Sequence, residues 1–325
     1  MRFVETWTPA TLVATRDLTS DIREFLVRPE TPVASFPPGS HINVGVTIEG
    51  RPDTRSYSLV GEADPRGLRI AVRRAADSRG GSRYMWQLAP GARLSITLPT
   101  TQFQVDWTRP HYCLIAGGIG ITPILGIAQV LKRRGASFVL HYAVRSRREA
   151  AYLEELHALL GERLVVHASD EGRRLDLAAT FAQLPPRSAT LFCGPMRMLD
   201  AARHAFLAAG RPLADLSYET FGSSGLLPTE AFRVRLADAG VELVVPSDRS
   251  MLDVLNEAGH EVISDCRRGE CGVCAIDVVG IDGEIDHRDV FLSDHQKREN
   301  RKICPCVSRA RGVLTVDTLH RTRAA

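Results

Sequence analysis

The sequence lacks a strong charge of either sign: 41 Lys and Arg against 38 Asp and Glu leave a formal net charge of +3 over 325 residues. So slight an imbalance gives no electrostatic ground for binding nucleic acid. Internal repeats and low-complexity tracts are missing too, which excludes repeat architectures. Met1 to Ala14 has no basic patch followed by a continuous apolar stretch, so neither a secretory signal nor a transit peptide is expected, and the location read is cytoplasmic. The run from Cys113 to Leu131 has no formal charge, but Gly117, Gly118, Gly120, Pro123 and Gly126 break it. It reads as strand, glycine turn and helix, so no membrane span is expected. Seven cysteines are an odd number for a disulfide framework in a chain without an export signal, and ligand or reactive roles gain by that.

What is present is a globular composition, 44% hydrophobic and 24% charged, at a length that suggests two or three domains. From Thr8 to Leu98 short apolar or alternating runs are punctuated by turns. The strands expected are Ala10 to Arg16, Ile22 to Arg28, His41 to Ile48, Ser56 to Val60, Leu68 to Arg73 and Arg93 to Leu98. Residues 1–106 are therefore read as a small antiparallel β-barrel. Strands then alternate with helices, for example strand His111 to Ala116, helix Pro123 to Arg134 and strand Phe138 to Val144. That alternation predicts an α/β domain with a parallel sheet over 107–222. Gly222-Ser223-Ser224-Gly225 and Pro228 mark a linker over 223–230, and an α+β domain follows over 231–325.

Five of the seven cysteines crowd this last part. Cys266, Cys271, Cys274 and Cys304 are separated by four, two and twenty-nine residues, the plant-type spacing for a [2Fe-2S] cluster. Gly269 and Gly272 let the backbone fold tightly and turn amide hydrogens toward sulfur. Arg267 and Arg268 are candidates to offset the cluster's negative charge. A structural zinc site calls for paired C-x2-C knuckles or added histidines, and only one such pair exists. Cys306 is a second candidate for the fourth position, with the spacing favouring Cys304.

Upstream, Arg55, Ser56, Tyr57 and Ser58 lie on an expected strand where period two puts Arg55 and Tyr57 on one side. A guanidinium for phosphate beside a ring to lie against a flavin is a coherent pair, although an ordinary solvated face would look the same. Arg73 and Arg74 precede Ser78, Arg79, Gly80, Gly81 and Ser82, a stretch suited to closing as an anion site. Gly117, Gly118, Gly120 and Thr122 lie in a run that ends a strand and opens a helix, so the backbone can approach a diphosphate. Cys193, Gly194 and Pro195 repeat that strand-to-helix turn later in the same domain.

These signals occur together and in order, and the chain resembles the phthalate dioxygenase reductase family, which includes vanillate demethylase reductases. The matching motifs are Arg55 to Ser58, Gly80 to Ser82, Gly117 to Pro123, Cys193 to Pro195, Glu219-Thr220-Phe221-Gly222 and the four cysteines. The resemblance implies an FMN barrel, a nicotinamide domain and a C-terminal plant-type ferredoxin domain of β-grasp fold. It implies that Arg55, Tyr57, Ser58, Val72, Arg73, Arg74, Gly81, Ser82 and Thr122 bind FMN, with Ser58 near the reactive flavin nitrogen. Gly118, Cys193 and Glu219 then border the nicotinamide. It implies an NAD(P)H-dependent oxidoreductase that passes electrons from NADH through FMN and the cluster to a Rieske-type oxygenase component, and no general acid or base is nominated. Asp286-His287-Arg288-Asp289 also matches a stretch of this family; on its own it reads as a salt-bridged loop with a surface histidine. After the second strand of the nicotinamide domain stand Arg145, Ser146, Arg147 and Arg148, where an acidic residue would hold the ribose of NADH. NADH is the expectation, with NADPH the alternative.

Overall fold

The computed structural model describes residues 6–75, 80–101, 103–221, 227–237 and 239–318. Ser78, Arg79 and the expected linker residues Gly222 to Gly225 lie outside them. The chain divides into two compact units, 1–219 and 220–325.

The first unit opens with β1 (Trp7–Asp17), β2 (Ile22–Pro29), β3 (His41–Ile48), β4 (Arg51–Ser58) and β5 (Leu68–Arg73), then α1 (Gly81–Gln87) and β6 (Arg93–Thr97). The six strands form an antiparallel sheet in the order β4-β3-β6-β1-β2-β5, and a bridge from Leu59 to Ile70 joins its two edges into a barrel. Alternate residues such as Leu12, Phe25, Val27, Ile42, Val44, Ile70 and Ile96 fill the interior, as half-buried strands require. β4 starts earlier than its pattern suggests. Glu49 and Gly50, both at positive φ, make a two-residue hairpin loop that pairs Ile48 with Arg51. That turn, rather than hydrophobicity, recruits the polar run Arg51 to Arg55 into the sheet.

The same unit continues with β7 (Tyr112–Gly117), α2 (Ile121–Arg133), β8 (Phe138–Val144), α3 (Leu153–Leu160), β9 (Leu164–Ala168), α4 (Leu177–Gln183), β10 (Ala189–Cys193), α5 (Met196–Ala208) and β11 (Leu216–Glu219). All five strands run parallel, in the order β11-β10-β7-β8-β9. Tyr112, Leu114, Leu140 and Tyr142 point into a core shared with Ile124, Leu125 and Ala128 of α2 and Leu156 of α3. Phe181 of α4 and Phe206 of α5 meet edge to face, ring centroids 5.0 Å apart. The chain leaves β7 toward β8 in one direction and returns to β10 on its other side. β7 and β10 thus flank a topological switch point, where crevices open at the carboxyl ends of the strands.

The second unit contains β12 (Phe232–Leu236), β13 (Glu242–Val245), α6 (Met251–Glu257), β14 (Ile276–Asp286), α7 (Asp294–Glu299), β15 (Lys302–Ile303) and β16 (Arg309–Asp317). Its sheet is mixed, order β13-β12-β16-β14-β15, with only β12 and β16 parallel. Val234, Leu252, Leu255, Ile276, Leu314 and Val316 form a core that reaches Cys274, Cys304 and Cys306. No helix of the described residues is long and apolar enough to cross a membrane.

Candidate functional site

The β3–β4 hairpin sets the register of the barrel motif: Arg55 opposes Val44 and Tyr57 opposes Ile42. Arg55 and Tyr57 thereby share one face, while Ser56 donates to Asn43 at 2.5 Å on the other. Arg55 is held by Asp53 at 2.6 Å and by the Thr54 carbonyl at 2.8 Å. Burial pushes the Tyr57 hydroxyl well above its ordinary value, so the ring stays neutral. A Cβ on Gly81 would lie 2.5 Å from Arg55 Nε. Only glycine lets α1 pass this close to the guanidinium.

Helix α1 also draws in the end of β5. Ser82 Oγ accepts the Ala75 amide at 3.3 Å, and Trp86 donates to the Val72 carbonyl at 3.1 Å. Arg74 lies over the Trp86 ring at 4.6 Å and Arg73 pairs with Asp21 at 2.8 Å. Gly80 to Ser82, read from the sequence as a stretch suited to closing on an anion, form the entry to this helix. The Gly80–Gly81 pair at positive then helical φ starts the turn.

At the switch point two glycine turns, separate in the sequence, are packed backbone to backbone. A Cβ on Gly120 would meet the Cys193 carbonyl oxygen at 2.2 Å, and one on Gly117 would meet Pro195 Cδ at 2.7 Å and Gly194 Cα at 3.2 Å. Gly118 opens a 3-10 turn at φ +54° with no atom within 4 Å of where its Cβ would be. It is the bare floor of a crevice that Arg73 and Arg145 also line. Thr122, buried, caps this turn by donating to the Ile119 carbonyl at 3.0 Å.

Cys193 and Glu219 are register partners on β10 and β11, both buried. Ser58 Oγ, at the end of β4, donates to Glu219 at 3.4 Å. Ser58, Cys193 and Glu219 therefore form one cluster with the glycine turns. Phe221, 37% exposed, belongs to the second unit. Beyond β8, Ser146 caps a 3-10 turn by accepting the Arg148 amide, and Arg147 pairs with Glu171 at 2.9 Å. Arg145 and Arg148 are exposed.

In the second unit the amides of Arg268 and Cys271 both donate to Cys266 Sγ at 3.4 Å. Gly269 and Gly272 have φ +77° and +71°, and a Cβ on either would strike Val307 Cγ2 at 2.6 Å or the Phe291 ring at 2.3 Å. Cys274 and Cys306 are joined by an S–H···S bond of 3.3 Å. Hydrogen bonds from Cys304 and then Cys306 hold the Cys274 thiol down at about 3. Among the described residues no three His, Cys, Asp or Glu side chains close on one point as a single ion would require. A two-iron cluster asks instead for thiolates in pairs and for amides aimed at sulfur, and this loop supplies both. The donor set fits.

Two readings of the loop need correcting. Arg267 is paired with Asp253, and Arg268 with Glu270 at 3.4 Å, so their charge is already matched by carboxylates. Asp286 to Asp289 is no surface loop. Arg288 is buried, donating to Asp286 at 2.7 Å and Thr229 at 3.0 Å. Asp289, wholly buried, accepts from Ser308 Oγ and the Leu292 amide, each at 2.9 Å. These bonds satisfy charges that burial would otherwise penalise, and they brace the segment carrying Cys304 and Cys306.

Three family models match in the same order: an oxidoreductase FAD-binding domain over 9–105, an oxidoreductase NAD-binding domain over 114–204 and a 2Fe-2S iron-sulfur cluster binding domain over 234–311. Phthalate dioxygenase reductase of Burkholderia cepacia is 33% identical over 293 residues, 88% of each chain. A crystal structure of phthalate dioxygenase reductase superposes with a TM-score of 0.74 at 29% identity, over 96% of this chain and 98% of that one. The chain belongs to the phthalate dioxygenase reductase family. Like that reductase it is an NAD(P)H-dependent oxidoreductase with flavin, nicotinamide and [2Fe-2S] domains. The heme-dependent oxidative N-demethylase beta subunit of Ectopseudomonas mendocina (strain ymp) is 38% identical over 304 residues, covering 93% of this chain and 95% of its own. CYP116B46 from Tepidiphilus thermophilus is 34% identical with a TM-score of 0.64, and this chain spans 42% of its length.

Proposed function

We propose that this reductase serves a Rieske-type aromatic oxygenase or demethylase in the cytoplasm, taking a hydride from NADH and exporting single electrons to a separate oxygenase protein. The observation that carries the reading is the cluster of Ser58, Cys193 and Glu219 beside two interlocked glycine turns at the sheet's switch point. FMN, when bound, would supply two-electron acceptance of a hydride and one-electron release, which a one-electron [2Fe-2S] cluster requires.

The chain's own residues then have distinct tasks. Arg55, with Arg74 and Ser82, is suited to the FMN phosphate and Tyr57 to its ring. Gly117, Gly118, Gly120 and Thr122 shape the turn that a diphosphate and nicotinamide approach, with Gly194 and Pro195 packed beneath and Arg145 and Ser146 at the adenosine end. Ser58 and Glu219 orient the reacting rings and keep bulk water from between them. Cys266, Cys271 and Cys274 hold the cluster. For the fourth ligand the 3.3 Å approach to Cys274 supports Cys306 over the Cys304 that spacing favours. Working boundaries are 1–106 for the FMN barrel, 107–222 for the NAD(P) domain, 223–230 for the linker and 231–325 for the ferredoxin domain.

A second reading, a heme protein as electron acceptor, is supported by the resemblance to the N-demethylase beta subunit and to CYP116B46. Both readings share one test. Anaerobic titration with NADH should bleach flavin and cluster absorption together and raise the electron spin resonance of a reduced [2Fe-2S] centre, with FMN as the flavin extracted by acid. A chain that stays oxidised under NADH ends the proposal, and reconstituted turnover with an oxygenase or a heme partner decides the acceptor.

A further inference from the structure

Residues two apart share a face on an extended strand, but Cys304 and Cys306 follow the end of β15 in a turn. The Val307 and Ser308 amides both return to the Cys304 carbonyl, at 3.3 and 3.0 Å, and the Leu252 amide fixes the Pro305 carbonyl at 3.0 Å. The chain curls at Pro305, and both thiols are buried, Cys304 wholly and Cys306 to 4% exposure. Both bear on one sulfur: Cys306 lies 3.3 Å from Cys274 Sγ, and Cys304 is a side-chain hydrogen-bond partner of the same atom. Cys304 feels the negative charge of the buried Asp289 carboxylate, and Cys306 has the Gly269 amide as a backbone hydrogen-bond partner.

Two thiolates on one tetrahedral metal are neighbours at little more than van der Waals separation. A thiol that touches Cys274 is therefore placed to share its iron, and here two thiols qualify. The pocket that receives the fourth ligand is closed by main-chain bonds and by the Asp289–Ser308 pair, not by either thiol, so removing one thiol leaves its frame standing.

We propose that Cys304-Pro305-Cys306 is a two-thiol ligand position, in which Cys306 is the resident fourth ligand of the [2Fe-2S] cluster and Cys304 a reserve ligand that takes the same iron when Cys306 is absent. This rests on the cluster assignment above and adds a metal-binding role for Cys304. Its anionic neighbour Asp289 and the missing Gly269 amide make the Cys304-ligated form electronically different from the native one, since charge and hydrogen bonds at sulfur set the cluster's properties.

The test uses the full-length holoprotein purified without air as Cys304→Ser, Cys306→Ser and the double variant. Iron and acid-labile sulfide per chain, visible circular dichroism and the spin-resonance signal after dithionite are measured. Flavin content and thermal melting report folding. The expected results are a native signal for C304S, full iron with a shifted signal for C306S, and no cluster in the double variant. A folded C306S without iron overturns the reserve role while leaving Cys306 as ligand. A native signal in C306S with loss or shift in C304S overturns the assignment of Cys306 itself. Iron retained by the double variant overturns both. Should C306S fail to fold, C306A, which removes the thiol without adding a polar group to the pocket, is read by the same criteria.

Discussion

Ser58 donates its hydroxyl to Glu219 across 3.4 Å, although 161 residues separate them. One ends a barrel strand, the other ends the edge strand of the parallel sheet, and both are buried. Two polar groups kept dry and in contact hold a defined geometry where the flavin and nicotinamide are proposed to meet. Ser58→Ala and Glu219→Gln should each slow anaerobic flavin bleaching by NADH by about 100-fold, a typical loss for one preorganised polar group. The apparent affinity for NADH should change far less. Stopped-flow traces at wild-type speed would refute this role for the pair.

Cys271 offers its amide to Cys266, and its thiol is a proposed ligand of the cluster. Cys271→Ser should abolish reduction of an added cytochrome, while NADH still reduces the flavin at a rate within about twofold of wild type. Equal loss of both activities contradicts the order nicotinamide, flavin, cluster.

Exposed Arg145 and Arg148 flank Ser146, and Arg147 is spent on Glu171. With NADH as the donor, kcat/KM for NADH exceeds that for NADPH, and Arg148→Ala leaves the NADH value unchanged. A ratio in favour of NADPH, collapsing in Arg148→Ala, would show instead that these arginines receive the 2′-phosphate.

Gly120 and Gly118 differ in what a methyl group would meet. At Gly120 it would collide with the Cys193 carbonyl at 2.2 Å, a contact no side-chain rotation relieves. Gly120→Ala should cost about 1–3 kcal/mol and raise KM for NADH by spreading the two turns. At Gly118 the space is open and only the positive φ resists, so Gly118→Ala should cost about 1 kcal/mol. Thermal melts of the two variants, compared with NADH kinetics, check the contrast.

His141 of β8 and His167 of β9 share a hydrogen bond of 3.0 Å. Burial, and then the neighbouring ring, pull His141 down to about 4, and burial lowers His167. The folded chain keeps His141 neutral where the unfolded chain would take up a proton near 6.5. Its contribution to stability is thus complete above about pH 6.5 and is lost as pH falls toward 4. Melting temperatures of wild type should drop more steeply between pH 7 and 4 than those of His141→Gln; parallel curves would discount the pair.

Much of the architecture is legible in local pattern. Strand alternation marks the barrel, βα alternation the parallel sheet, and Cys266, Cys271 and Cys274 the cluster loop, because each depends on neighbours in sequence. Other features escape. The polar start of β4 is set by the Glu49–Gly50 turn, and α1 hides behind a glycine pair that also suits a loop. α7, only six residues long, has little beyond its capping box, Ser293 with Gln296, to mark it in the sequence. The Asp286 to Asp289 stretch reads as solvated because charge alone does not reveal that Thr229, Ser308 and backbone groups await it inside.

The amino-acid order alone determined the chemistry available: which residues offer thiolates, a guanidinium beside a ring, and glycines where a backbone must come close. Tertiary structure decided which of these meet. It brought Gly120 against Cys193 and Ser58 against Glu219, and it turned two thiols of one short segment onto Cys274. The physical reason is that spacing constrains only a few neighbouring residues, whereas contacts between distant segments follow from strand order and from the shape of a packed core.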